Sequence, residues 1–163
     1  MDSPSRNYGR ATHALIAALV VFAASFIGTR ATIPNIPIWY ADLQKPWFTP
    51  PNWLFGPVWT LLYLALAYGF YRILRKDPAM LGRRRAIMIF IAQITLNALW
   101  SVVFFGLRNP ALGLGVIVLL WLSIMANMIA FWKLDQIAAW PFAPYLAWVT
   151  FAGALNVAIF LLN

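Results

Sequence analysis

Five long apolar runs alternate with short polar connections along this chain, at about 11–28, 52–73, 86–107, 111–132 and 140–162. As helices rising about 1.5 Å per residue, runs of this length cross the roughly 30 Å hydrocarbon core of a bilayer. The connections are 29–51, the basic turn LRKDPAMLGRRR (74–85), Arg108-Asn109-Pro110 and Lys133-Leu134-Asp135-Gln136. All are too short to bury a core of their own. The pattern predicts an all-α membrane protein: a bundle of five transmembrane helices forming a single integral membrane domain, 1–163.

The stretch WYADLQKPWFTPPNWLFGPVWTLLY (39–63) breaks this regularity. It begins as a polar, aromatic loop and ends inside an apolar run. Pro46, Pro50 and Pro51 fix φ and remove backbone donors, so 45–51 cannot be regular helix. Pro51 and Asn52 read as a helix start, and Pro57 falls about one turn inside, where a missing N–H costs least. An interfacial aromatic belt would account for Trp39, Tyr40 and Trp53. It does not account for the proline density. A stiff aromatic loop above a helical bundle predicts a lid over a pocket, with Trp47 and Pro50 covering the ligand.

Composition sharpens the class. Hydrophobic residues make up 63% of the chain and charged residues 10%, with mean hydropathy +0.77, against about 25% charged in soluble domains. The net charge of +8 would point to nucleic acid in a soluble protein. Here the charges lie between apolar runs, so they read as topology signals and no nucleic-acid partner is expected. Arg6, Arg10, Arg72, Arg75, Lys76, Arg83, Arg84, Arg85 and Lys133 fall on one side, and Arg30, Lys45 and Arg108 on the other. In a bacterial cell membrane this places the N-terminus in the cytoplasm and the C-terminus outside; an outer-membrane location would change those labels. The triple arginine 83–85 could also meet anionic headgroups. With no cysteine and His13 as the single histidine, at a membrane edge, thiolate chemistry and a His cluster are excluded and no Ser-His-Asp triad is expected. No metal and no cofactor are expected.

Inside the runs, Arg72 at an edge is the one charged residue. Proton relays and voltage sensors need ionisable groups at depth, and paired-carboxylate catalysis needs two acids, so none of these fits. Neutral polar and aromatic residues fall instead at helical spacing. Gln93, Asn97, Trp100, Ser101 and Phe104 follow i, i+4, i+7, i+8, i+11 and share one face. Tyr145, Trp148, Ala152 and Asn156 share another, and Trp59 and Tyr63 are one turn apart. Amides in a bilayer commonly hydrogen-bond between helices. Three such faces also suit a lumen for a flat, apolar ligand with polar edges, indoles supplying stacking area and amides orientation. In the fourth run Ala111 and Gly115 form a small patch for close helix contact, Trp121 reads as packing or lipid-facing, and Ser123 and Asn127 could pair across a turn.

Three blocks, 39–63, QITLNALWSVVFFG (93–106) and PYLAWVTFAGALN (144–156), with the weaker FIGTR (26–30), resemble the translocator protein/tryptophan-rich sensory protein family, also called the peripheral-type benzodiazepine receptor family. The resemblance spans about residues 25–156. It implies five helices around a pocket covered by the first loop, and ligands such as protoporphyrin IX, haem, sterols and benzodiazepine-site drugs. Tyr40, Trp59, Asn97, Trp100, Trp148 and Ala152 match the family's pocket positions. Trp59 and Trp148 match the two tryptophans linked to light-driven porphyrin breakdown, and would be catalytic only in that reaction. A homodimer is also implied. Two departures stand out. The last helix reads LNVAIFLL (155–162), without the tyrosine and basic residue of the family's sterol motif. Met88 and Ala92 stand where many members have small residues for a dimer contact. The expected function is therefore a membrane receptor or binding protein for porphyrins and related apolar ligands, in tetrapyrrole homeostasis or stress sensing. The alternatives are a light-dependent protoporphyrin-degrading enzyme and a porphyrin or sterol transporter.

Overall fold

The computed structural model describes residues 4–163, with side chains from residue 9 onward. Asp2 lies outside the described residues, as does the side chain of Arg6. The helices are α1 (Pro4–Thr32), α2 (Asn52–Leu74), α3 (Arg83–Ser101), α4 (Pro110–Trp132), the short α5 (Gln136–Ala139) and α6 (Phe142–Leu162). Five stretches are long and apolar enough to cross a membrane: Gly9–Tyr40, Asn52–Leu74, Arg83–Gly106, Pro110–Trp132 and Gln136–Leu162. The five-helix expectation therefore holds.

The first span is the exception in its bounds. Residues 29–51 do not form one loop, because helical structure continues through a 3₁₀ turn (Ile33–Asn35) and a π turn (Ile36–Tyr40) to residue 42. Pro34 and Pro37 explain the irregularity. Each lacks an N–H and clashes with the carbonyl four residues back, so the coil tightens and then widens around them instead of stopping. Only 43–51 is left as non-helical connection. At the end of α3, a second π turn (Val102–Gly106) is closed by Leu107 N–H donating to Val102 O at 2.8 Å. Arg108 then adopts φ 52°, and the Asn109 side chain caps α4 by accepting from Leu112 N at 2.9 Å. Both features end α3 where Arg108-Asn109-Pro110 predicts.

In a bilayer, helices associate by packing and interhelical hydrogen bonds more than by the hydrophobic effect. One packed layer is aromatic. Phe70 stacks on Phe90 at 4.1 Å, Phe90 lies 5.9 Å from Phe131, and Phe142 sets its edge to Phe131 at 5.1 Å, joining α2, α3, α4 and α6. Close backbone approach occurs at two glycines. A Cβ on Gly69 would meet the Ala138 carbonyl oxygen at 2.6 Å, and one on Gly113 would meet Asn156 Oδ1 at 2.9 Å. The small patch expected at Ala111 and Gly115 faces outward, and a Cβ on Gly115 would meet nothing within 4 Å. Gly113, on the opposite side of that turn, makes the contact instead. Ser123 donates to the Leu120 carbonyl at 2.7 Å and does not pair with Asn127, whose buried amide has no hydrogen-bond partner among the described residues. Trp121 packs by donating to Thr150 Oγ1 at 2.9 Å.

The basic end is locked by one carboxylate. Asp135 Oδ2 accepts from Arg72 Nε at 3.1 Å and Nη2 at 2.9 Å and pairs with Lys76 Nζ at 2.9 Å, while Oδ1 accepts from Ala138 N as the cap of α5. Burial raises this carboxyl, but the hydrogen bonds from Arg72, Lys76 and Ala138 outweigh burial and hold it at about 2. Arg83 is not free for headgroups: it donates to the carbonyls of Ile73 and Leu74 at 3.2 and 2.7 Å and so caps the C-terminus of α2.

Candidate ligand-binding site

At the end of the bundle remote from Asp135, α1, α2, α3 and α6 enclose a cavity of about 410 Å³. That volume is in the range of small-molecule sites. Its α2 wall begins where the proline run releases the chain into helix, so Asn52, Trp53, Gly56, Trp59, Thr60 and Tyr63 border it from successive turns, Trp53 at the exposed rim. The Trp59 and Tyr63 rings stack at 5.4 Å, and Trp59 sets its edge to Tyr145 at 6.2 Å. From α6 come Trp148 and Ala152. Trp148 lies between Phe55 at 5.7 Å and Phe151 at 5.5 Å. Its indole Nε1 is buried and has no hydrogen-bond partner among the described residues.

Behind this wall lies a polar layer. Tyr63 OH donates to Asn97 Oδ1 at 2.5 Å, Asn97 Nδ2 donates to Tyr145 OH at 2.9 Å, and Gln93 Nε2 donates to the same hydroxyl at 2.9 Å. Trp100 Nε1 donates to Asn156 Oδ1 at 3.2 Å, and Asn156 Nδ2 reaches Pro110 O at 2.8 Å. The amides on α3 and α6 thus tie helices together and orient the aromatic residues that face the cavity.

Of the residues singled out from the sequence, Tyr40, Trp59, Tyr63, Trp100, Trp148 and Ala152 line this one cavity. Gln93, Asn97 and Tyr145 are fully buried in the supporting layer. Phe104 is buried against Trp100 at 5.3 Å and Trp39 at 5.5 Å, and its neighbour Phe105 takes the lining position. The π turn explains the exchange: one extra residue in the coil shifts the face expected from a 3.6-residue period by one position.

The connection behaves differently from a simple lid. It is ordered: Thr49 bonds Pro46 O through both its N–H and its hydroxyl, Lys45 Nζ lies 5.0 Å over the Tyr40 ring, and Gln44 and Asn163 exchange two hydrogen bonds. Residues 41–51 nevertheless supply no lining side chain. Trp47 is 96% exposed, Pro50 is half-buried outside the cavity, and Phe48 packs on Phe151 at 6.3 Å. Tyr40 before the connection and Asn52 and Trp53 after it form that side of the wall.

The α1 wall was missed. Ser25, Gly28, Thr29 and Thr32 follow i, i+3, i+4, i+7 and continue into Ile33 and Ile36. A stripe of small and hydroxyl residues at helical spacing in an otherwise apolar run is a readable signal for a recessed face. A Cβ on Gly28 would already meet Ser101 Oγ at 3.2 Å. No carboxylate, ammonium, guanidinium or imidazole lines the cavity. Its chemistry is aromatic stacking and hydroxyl and indole hydrogen bonding.

Fold and cavity together define a five-helix membrane protein with an aromatic, uncharged cavity. The sequence pattern of the TspO/MBR family matches residues 16–162, so the chain belongs to that family. Relatives include the tryptophan-rich protein TspO of Archaeoglobus fulgidus, 41% identical over 145 residues that cover 89% of this chain and 93% of the relative. Protein CrtK of Rhodobacter capsulatus is 38% identical over 155 residues, covering 90% and 94%. The human translocator protein is 34% identical over 135 residues, covering 82% and 80%.

Proposed function

We propose that this protein is a membrane receptor for porphyrins and related flat, apolar ligands, held in the aromatic cavity and used in tetrapyrrole homeostasis or stress sensing. The observation that carries the reading is the pair of tryptophans on one cavity. Trp59 and Trp148 both line it, and the Trp148 indole N–H is buried without a protein acceptor. A buried unmade hydrogen bond costs about 1–3 kcal/mol, so a ligand that seats an acceptor there, with a shift of the Trp148 ring that opens Nε1 to the cavity, recovers it. A porphyrin offers a wide π face for stacking and side-chain carboxylate acceptors at its edge.

A second reading is favoured by the same pair. A bound porphyrin absorbs light, and an indole in van der Waals contact can exchange an electron with it, which requires no acid–base pair. Purified protein incubated with protoporphyrin IX in light and in darkness separates the readings. A receptor retains pigment in both. A photochemical enzyme loses it in light alone. Saturable binding absent in both conditions rejects the cavity as a porphyrin site. Transport has the least support, since the spans carry no charged coupling-ion ligands at depth.

The distribution of Lys and Arg supports a cytoplasmic N-terminus and an external C-terminus. Reporter fusions at residue 80 and at the C-terminus should report opposite sides of the membrane; the same side for both refutes the arrangement. We propose a homodimer on the family resemblance alone; Met88 and Ala92, exposed on α3, are not the small residues of the family's contact and no contact face is assigned to them. A monomeric mass in lipid nanodiscs at all protein concentrations refutes it.

A further inference from the structure

At the opposite end of α2 from the aromatic cavity lies an open recess of about 380 Å³ lined by Tyr68, Tyr71, Arg72, Arg75, Lys76 and Asp135. Tyr68, Tyr71 and Arg72 come from one face of α2 at i, i+3 and i+4, and Arg75 and Lys76 from the turn that ends the helix, so the last turns of α2 and its exit form the floor. Three cations stand against one carboxylate. That carboxylate is already committed, since Arg72, Lys76 and the Ala138 N–H all bond it. The excess positive charge therefore has no counter-charge in the recess.

The hydrogen-bonding inventory points the same way. Arg72 Nη1 donates to Tyr68 OH at 3.2 Å, and Arg75 Nη1 donates to Tyr71 OH at 3.4 Å. Each phenol oxygen is thus an acceptor already used, and its own O–H is left to donate outward. Arg72 and Arg75 also lie against the faces of Tyr68 and Tyr71, at 5.8 and 5.5 Å from the ring centroids, which holds both guanidiniums in place. Lys76 spends one of its N–H donors on Asp135. Arg75 pairs with no carboxylate among the described residues. The recess presents donors from four side chains and no free acceptor from its carboxylate.

We propose that this recess binds a phosphate-bearing anion, with Arg75 and Lys76 as its principal charged contacts. Charge-assisted hydrogen bonds from a guanidinium fork and an ammonium suit a tetrahedral oxyanion. The site lies at the terminus of a spanning helix, where lipid phosphates are concentrated, and the same chemistry admits free phosphate. It is separate from the aromatic cavity and does not depend on what that cavity holds.

Detergent-solubilised full-length protein is titrated with phosphatidylglycerol, and separately with inorganic phosphate, and bound equivalents are counted by native mass spectrometry. The expected result is saturation by phosphatidylglycerol and a loss of affinity of roughly ten-fold or more in Arg75→Gln. Arg84→Gln, on the same basic end but outside the recess, should change affinity within about two-fold, as a screened surface charge does. Arg75→Gln leaves the Arg72 and Lys76 pairs to Asp135 in place; should it misfold, Arg75→Lys, which keeps the charge and loses the guanidinium fork, should lower affinity by a smaller factor and still more than Arg84→Gln. Saturation by inorganic phosphate alone, lost in Arg75→Gln, supports the site and assigns a soluble source. Failure of both probes to saturate overturns the proposal. So do equal losses in Arg75→Gln and Arg84→Gln, which would mean diffuse attraction to the basic end.

Discussion

Tyr63 OH donates to Asn97 Oδ1 at 2.5 Å, joining a residue of the cavity wall to an amide in the bundle core. Asn97 in turn donates to Tyr145, which also accepts from Gln93. The layer predicts an asymmetry between two Tyr→Phe substitutions. Tyr145→Phe leaves two buried amide donors without an acceptor and should cost about 1–3 kcal/mol of stability. Tyr63→Phe removes one bond and leaves Asn97 a single unmet acceptor, for about 1 kcal/mol or less. Thermal unfolding in lipid nanodiscs measures both. Equal costs would mean the layer does not act as a connected unit.

Glycines supply a packing test. Gly69→Ala and Gly113→Ala should each destabilise by about 1–3 kcal/mol, because a Cβ would meet the Ala138 carbonyl oxygen in one case and Asn156 Oδ1 in the other. Gly115→Ala meets nothing and should be neutral or stabilising by about 0.5–1 kcal/mol through helix propensity. The same unfolding assay ranks the three. Destabilisation at Gly115 equal to that at Gly69 would contradict the helix contacts described.

The Asp135 cluster predicts an acid transition. Its carboxyl is held at about 2, below the ordinary value of about 3.9. A depressed carboxylate contributes stability that is fully present above the ordinary value and is lost as pH falls through the folded one. Stability should therefore decline between about pH 4 and pH 2, and Asp135→Asn should flatten that decline while lowering stability at neutral pH. A variant with an unchanged acid profile would show that other groups control it.

Much of this arrangement is legible in the sequence, for identifiable reasons. Uninterrupted apolar runs leave little freedom in the number of spans, and Gln93, Asn97 and Trp100 share the buried face that a 3.6-residue period assigns them. Where the period itself changes, the reading slips. Pro34 and Pro37 bend the first span through 3₁₀ and π turns where they read as loop, and the π turn at Val102–Gly106 exchanges Phe104 for Phe105 on the cavity wall. Trp47 went astray for another reason: a rigid proline loop predicts order but not direction, and this one packs Phe48 toward α6 while Trp47 faces out. The wall of α1 was overlooked because small residues make a site by the volume they leave, which draws less notice than aromatic residues.

We propose that Trp59 and Trp148 serve a ligand and not only packing. Trp→Phe at each keeps most of the apolar volume and removes the indole N–H, so packing alone predicts a stability cost on the order of 1 kcal/mol and unchanged ligand behaviour. Porphyrin fluorescence quenching on folded wild type, Trp59→Phe and Trp148→Phe measures affinity, and absorbance decay under illumination on the same samples measures turnover. Affinity should fall by about 0.5–1.5 kcal/mol for each lost stacking contact, with the larger loss at Trp148, where the unpartnered indole donor is also removed. If the second reading holds, light-driven loss of protoporphyrin stops in both variants even where binding survives. Wild-type affinity and wild-type decay in both variants would contradict the assignment of this cavity as the porphyrin site.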